Sequence, residues 1–238
     1  MKSPEQSKYT ALVSLFFKNQ EAHPFPDTYV FVPALRRSLR LSVSARCAPI
    51  YGSDWTNDDA KTVGFNGSTA LFTGNMLGRR KILALIDYNQ EYGKFPQNWL
   101  MRLGWPKPSW GKWQVRDVYV DDVRRIPQER ASYCHGSRML YIDRVFYYGI
   151  GVNLYDSNMK LWKIVRGDAK IRPVSGLGRV ITNAVGAGTW DIQNTHASYW
   201  SSAGNARMEE PLFNDDAPAQ YHDGIRYGSP SGLMQIMR

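Results

Sequence analysis

The clearest period-two alternation of apolar and polar residues runs through 138 to 168. From Phe146 to Leu154 one parity reads Phe146, Tyr148, Ile150, Val152, Leu154, and the other reads Tyr147, Gly149, Gly151, Asn153, Tyr155. Successive side chains on a strand point to opposite faces, so the first set is expected on a buried face and the second toward solvent. Asp156-Ser157-Asn158 supplies turn-forming side chains, and Met159 to Val165 returns as the next strand. The pattern predicts an antiparallel meander of three short strands.

The same reading extends along the chain. Residues 9 to 17 carry Tyr9, Ala11, Val13, Leu15 and Phe17 on one parity, which favours a strand over a short buried helix. His23-Pro24-Phe25-Pro26-Asp27 breaks the run. Tyr29 to Arg40 is expected to be a second strand. Its residues Arg36, Arg37 and Arg40 either form a solvated cationic face or hold a carboxylate or phosphate headgroup. Residues 47 to 78, rich in Gly, Asp, Asn and Ser, read as an irregular excursion. Asp54, Asp58 and Asp59 lack the closing Glu of a calcium loop, so caps and turns are expected there. Arg79 to Tyr88 reads as a strand or short helix. The stretch 92 to 112, with Pro96, Pro106, Pro108, Trp99, Trp105 and Trp110, reads as a loop that stacks a sugar or packs over a sheet edge. Trp113 to Arg125 is a long strand closed by Pro127, residues 173 to 188 a Gly-rich connection, and Thr189 to Trp200 a last strand.

Composition narrows the possibilities. At 238 residues, with 43% apolar and 13% aromatic residues, the chain is ordinary globular material able to bury a core. A net charge of +9 raises nucleic acid as a partner. The basic residues are scattered, however, and no nucleic-acid-binding signature accompanies them, so no nucleic acid is expected. No run reaches the roughly 20 apolar residues of a membrane span, and Met1 to Lys8 lacks the apolar core of a secretion signal.

Catalysis finds little support. The four histidines (His23, His135, His196, His222) show no metal-ligand spacing, and there is no Gly-x-Ser-x-Gly elbow. Adjacent Asp121 and Asp122 point to opposite faces of their strand. Asp191 and Gln193 share a face that His196 does not, which weakens a relay through Asp191 and His196. Gly176-Leu177-Gly178 lacks the third glycine of a dinucleotide fingerprint, since Ile181 stands there. No enzyme activity, cofactor or metal is expected.

Several runs together resemble a known family. They are Tyr29-Val30-Phe31-Val32-Pro33-Ala34-Leu35-Arg36-Arg37, Ala45-Arg46-Cys47-Ala48-Pro49, Gly52-Ser53-Asp54 with Asp58-Asp59, and Gly64-Phe65-Asn66-Gly67. Further on come Pro106 to Trp113, Val123-Arg124-Arg125-Ile126-Pro127, Tyr141-Ile142-Asp143, and Leu154-Tyr155-Asp156-Ser157-Asn158-Met159-Lys160-Leu161-Trp162-Lys163. The chain is similar to the bacterial outer-membrane lipoprotein-sorting-like family of unknown function, in the LolA/LolB-like superfamily, over the C-terminal half of a family member.

The resemblance implies a mainly β (α+β) fold: a single domain over 1–238, an incomplete LolA-like half-barrel of curved antiparallel sheet with long irregular loops and few short helices. It implies a periplasmic or outer-membrane-associated protein that lacks the N-terminal part of a full-length member. The implied function is non-enzymatic binding or transfer of a lipid, lipoprotein or other hydrophobic ligand. Tyr119, Tyr141, Tyr148, Trp162 and Trp190 either line the concave face or fill an ordinary core. The alternative is a structural component that docks onto envelope or outer-membrane proteins without its own ligand. An export context also suggests a Cys47–Cys134 disulfide.

Overall fold

The computed structural model describes residues 10–42, 46–50, 52–59, 68–88, 104–131, 133–167, 170–174, 176–182, 186–201, 229 and 231–232. It is mainly β, with antiparallel sheets that do not close into a barrel. The chain forms two compact units, Met1–Arg46 with Glu210–Arg238, and Cys47–Glu209.

In the first unit, β1 (Ala11–Leu15), β2 (Asp27–Val32) and β3 (Arg37–Leu41) make a three-stranded sheet with β2 central. The single strand expected over Tyr29 to Arg40 is a hairpin instead. Pro33 has no N–H to give to a ladder, and Pro33–Leu35 form one 3-10 turn closed by Arg36 in the left-handed region at φ 50°. The chain then reverses, pairing Phe31 with Ser38.

The second unit is a seven-stranded sheet of β4 (Phe72–Tyr88), β5 (Gly111–Arg125), β6 (Ser137–Asp143), β7 (Gly149–Tyr155), β8 (Leu161–Gly167), β11 (Gly186–Asp191) and β12 (His196–Ser201). These are ordered β12-β11-β8-β7-β6-β5-β4. A separate hairpin, β9 (Lys170–Val174) and β10 (Gly178–Thr182), interrupts the meander after β8. It folds back so that Ile171 and Ile181 pack on Ala84, Ile86, Val118, Val120 and Ile150.

Three expectations change in this unit. Arg79 to Tyr88 is only part of β4, which starts at Phe72 because the long β5 supplies a ladder as far as Arg125. The Gly-rich connection over 173–188 is largely strand: Gly176 and Gly178, at φ 76° and 73°, provide the turn between β9 and β10. Thr189 to Trp200 is two strands. The segment between them turns as the Asn194 N–H donates to Asp191 Oδ1 at 2.9 Å and Thr195 takes φ 54°.

Strands β6, β7 and β8 form the expected meander, but the expected parity does not hold throughout. Phe146 and Tyr148 lie in the turn before β7. A register shift opposite Tyr141 and Ile142 puts Ile150 in one core cluster while Val152 and Leu154 join another, with Trp55 and Val165. Of the parity expected toward solvent, Tyr147 is exposed, whereas Gly149, Asn153 and Tyr155 are half-buried and Gly151 is buried. Both faces of the sheet are therefore occupied, one by β9–β10 and the other by the segment 47–59.

A cavity on one face, a charge cluster on the other

Cross-strand register assigns the residues of each face. One row runs Val120, Tyr141, Gly151, Arg166, Gly188, Tyr199 from β5 to β12. On the opposite face another runs Val123, Arg138, Leu154, Lys163, Asp191, His196. The second row carries unusual charge for a sheet that the segment 47–59 covers.

That charge is matched from the covering segment. Asp58 accepts from Arg138 Nη2 and from the Tyr133 hydroxyl. Asp59 contacts His135 Nε2 at 3.0 Å and Lys163 Nζ at 3.0 Å, and Lys163 also donates to the Asp54 carbonyl at 2.7 Å. Arg138, Asp58, Asp59 and Lys163 are almost wholly buried. Burial alone would raise the Asp59 carboxyl, but the hydrogen bond and charge of His135, with Lys163, hold it well below the usual range. Asp191 is likewise pulled down against its burial, by the Asn194 amides, the Trp162 indole N–H and Lys163. The Cys47–Cys134 disulfide, with Cα atoms 5.8 Å apart, anchors the segment to the sheet beside this cluster.

Asp191 and His196, at the edge of this cluster, do not bond to each other as a relay would require. Asp191 and His196 are direct cross-strand partners, correcting the expectation that they face apart. Each is nonetheless occupied elsewhere, His196 Nδ1 with Asp54 Oδ2 at 2.7 Å and Asp191 Oδ2 with Trp162 Nε1 at 2.9 Å. Ser198 Oγ donates to the same Asp54 oxygen at 2.6 Å. The carboxylate therefore sits between the histidine and the hydroxyl, the reverse of the order in which a histidine activates a serine.

The other face holds an apolar cavity of about 440 Å³. Strand β4 contributes Ile82 to Leu85, β7 Ile150, β8 Arg166 and Gly167, and β11 Trp190. Trp105, Pro106, Pro108 and Trp113 complete the wall. Trp105 stacks on Trp190 with ring centroids 4.3 Å apart and planes 12° apart, so an aromatic pair holds Trp105 over the sheet; residues 92–103 of the expected loop, with Pro96 and Trp99, lie outside the described residues. Among the described lining residues, Arg166 is the charged side chain.

Of the five aromatics expected to line a binding face, Trp190 lies in the cavity wall. Tyr141 and Tyr148 pack against the Ala84–Val118 cluster on the same side. Burial raises the Tyr141 hydroxyl, which accepts from Asn153 Nδ2 at 3.2 Å. Tyr119 belongs to the opposite row, paired with Ile142 and with the Arg144 guanidinium 5.8 Å from its ring. Trp162 joins the charge cluster, beside His135 and bonded to Asp191. The structure thus gathers three of the five on one side. Arg36, Arg37 and Arg40 belong to the first unit, where Arg40 pairs with Asp27 and Arg37 falls on the other face of β3.

Sequence reasoning passed over Arg166, read Trp105 only as part of a loop, and read Asp58 and Asp59 as cap and turn residues rather than as buried counter-charges. For the acids a signal was present. Arg138 shares its parity with Leu140 and Ile142, and Lys163 with Leu161 and Val165, so two cations occupied apolar positions and required buried anions.

A family model described as a protein of unknown function, DUF1329, matches residues 1–225. The chain belongs to the DUF1329 family. Among solved structures, this DUF1329 chain is similar to a protein domain from Vibrio parahaemolyticus whose name refers to outer membrane lipoprotein sorting. The two are 15% identical with a TM-score of 0.55, over 92% of this chain and 74% of that one. A DUF1329 family protein from Desulfovibrio piger is 12% identical with a TM-score of 0.54, over 86% and 70% of the two chains. A LolA superfamily protein from Nitrosomonas europaea is 15% identical with a TM-score of 0.43, over 84% and 68%. No curated protein matches the chain.

Proposed function

We propose that this DUF1329 chain is a cell-envelope protein that binds or hands over a lipid, lipoprotein or other hydrophobic molecule without transforming it. The observation that carries the reading is the cavity of about 440 Å³, within the range of roughly 300–1,000 Å³ usual for small-molecule sites, with walls of Ile82, Ala84, Trp105, Pro106 and Trp190. The clustered ionisable groups lie on the other face, paired with one another, which favours a carrier over an enzyme. A disulfide fits an oxidising compartment, and the name of the Vibrio relative points the same way, toward the periplasm or outer membrane.

Solvent extraction and mass spectrometry of the purified chain, with titration by the neutral fluorophore 1-N-phenylnaphthylamine, tests the reading. Binding that Ala84→Phe weakens at least severalfold, by filling the cavity, is expected. No extractable lipid together with no fluorophore binding overturns it.

A second reading rests on β4, an edge strand of its sheet. Met76 and Leu83 on β4, and Val115 beside it on β5, are 56%, 62% and 67% exposed. Such an edge invites pairing with an envelope protein, making the chain a structural component without its own ligand. A stoichiometric protein partner captured with an empty cavity favours that alternative.

A further inference from the structure

Among the described residues, the cavity lining holds one cation, Arg166, and no counter-charge meets it. Arg166 Nη1 donates to the Val152 and Val165 carbonyls at 3.1 and 2.7 Å, and Nη2 donates to Asn153 Oδ1 at 2.8 Å. Its guanidinium lies 5.3 Å from the centre of the Tyr141 ring. Every one of these partners is neutral, and among the described residues no carboxylate reaches it. Other arginines of the same sheet are treated differently: Arg116 meets Asp143, Arg124 meets Asp122 and Arg138 meets Asp58.

The position is built for the side chain. Glycines stand on both neighbouring strands, Gly151 and Gly188, directly opposite Arg166. A Cβ at Gly151 would lie 2.4 Å from Arg166 Cδ and 2.6 Å from Nη1, so an alanine there would collide with the arginine stem. The side chain is laid flat across β7 by a glycine gap, and fixed by two carbonyls and an amide. A guanidinium held in an apolar wall matches the planar, bidentate geometry of a carboxylate or phosphate. Burial disfavours its charged form, so a bound anion relieves that cost.

We propose that Arg166 is the head-group anchor of the cavity, and that the ligand is an amphiphile with a single anionic head, a carboxylate or a phosphate monoester, its hydrocarbon lying against Ile82, Trp105 and Trp190. This rests on the cavity being a ligand site, and it narrows the ligand from hydrophobic molecules in general to anionic ones.

The test displaces 1-N-phenylnaphthylamine from the full chain with three twelve-carbon competitors: dodecanoate, dodecyl phosphate and dodecanol. In the wild type at least one anion displaces the probe about tenfold better than the alcohol, as a charge-assisted contact requires. The better of the two anions identifies the head. Arg166→Met removes the preference while dodecanol still competes, and Arg166→Lys keeps part of it. Gly151→Ala, which leaves the charge but displaces its stem, reduces the preference severalfold and serves if Arg166→Met does not fold. Equal competition by all three compounds in the wild type overturns the anchor while leaving hydrophobic binding intact. A preference that survives Arg166→Met, or that Gly151→Ala leaves unchanged, also overturns it. Failure of the probe and all competitors to bind overturns the ligand site itself.

Discussion

Removing the Cys47–Cys134 disulfide, as the double variant Cys47→Ser/Cys134→Ser, strips the covering segment of its covalent anchor. The two cysteines are 87 residues apart. The chain-entropy relation for a loop of that length gives about 4–5 kcal/mol at 25 °C, of the same order as the whole stability of many domains, roughly 5–15 kcal/mol. The effect acts mainly on the unfolded state, so the urea m-value should rise as the unfolded chain expands, while the folded sheet keeps its register. All eight tryptophans of the chain fall between Trp55 and Trp200, so their fluorescence reports on the unit that contains the bond. A loss of about 2–5 kcal/mol with an increased m-value is expected. The covering segment adds a local readout: the Ile50 and Asp59 amides, which donate to the Trp55 and Thr56 carbonyls, should exchange faster than the β6–β8 ladder. A loss below about 1 kcal/mol with unchanged m would refute the reasoning, because the cross-link would then be constraining nothing that unfolds.

Three further perturbations follow from single positions. Gly136→Ala should cost about 1–3 kcal/mol in urea unfolding, because a Cβ there would lie 2.3 Å from the Asp156 carbonyl oxygen, a backbone atom that cannot step aside. Thr195→Gly should raise stability by about 1 kcal/mol, since a β-branched residue is strained in the left-handed region, and a fall would contradict that account. Asp59→Asn should destabilise the protein at neutral pH by about 3–5 kcal/mol by orphaning Lys163 and His135. Because the folded-state carboxyl lies below its unfolded value, this contribution is complete above about pH 4 and fades as the pH falls toward the folded-state value. Stability against pH for the variant should therefore approach that of the wild type in acid, whereas a constant gap would show that Asp59 acts through packing alone.

What the sequence made legible depended on whether the cause was local. The strands β5 to β8 declare themselves because β-branched and aromatic residues alternate within each run and turn residues punctuate them. Pro33 was visible as a strand breaker, yet the run around it was read through, merging β2 and β3. The hairpin hidden in the Gly-rich stretch was missed because glycine at positive φ marks a hairpin turn as readily as a loose connection. The cluster of Asp58 and Asp59 depends on Arg138, His135 and Lys163, between 75 and 105 residues away, and only register brings them together. The disulfide came into view through an inferred compartment, and the geometry supplies the pairing.

Strand β8 places a buried and a half-buried cation three residues apart, and the contrast can be tested by exchanging them. Lys163 faces the covered side and has its anion from Asp59, whereas Arg166 faces the cavity and has only neutral acceptors. If both cations were structural, giving Arg166 a carboxylate would simply add a salt bridge. If Arg166 awaits a ligand, the same change should close the site. Asn153→Asp makes the exchange with one atom, because Asn153 Oδ1 already accepts from Arg166 Nη2 at 2.8 Å and the side chain also lies 3.2 Å from the Tyr141 hydroxyl. An internal carboxylate at that place should stabilise the fold by about 1–2 kcal/mol, since a charged hydrogen bond replaces a neutral one. It should also reduce displacement of 1-N-phenylnaphthylamine by dodecanoate and dodecyl phosphate to the level of dodecanol, with dodecanol itself unaffected. Gained stability with undiminished anion binding would mean that Arg166 is an ordinary structural cation, and that any anion finds its charge elsewhere.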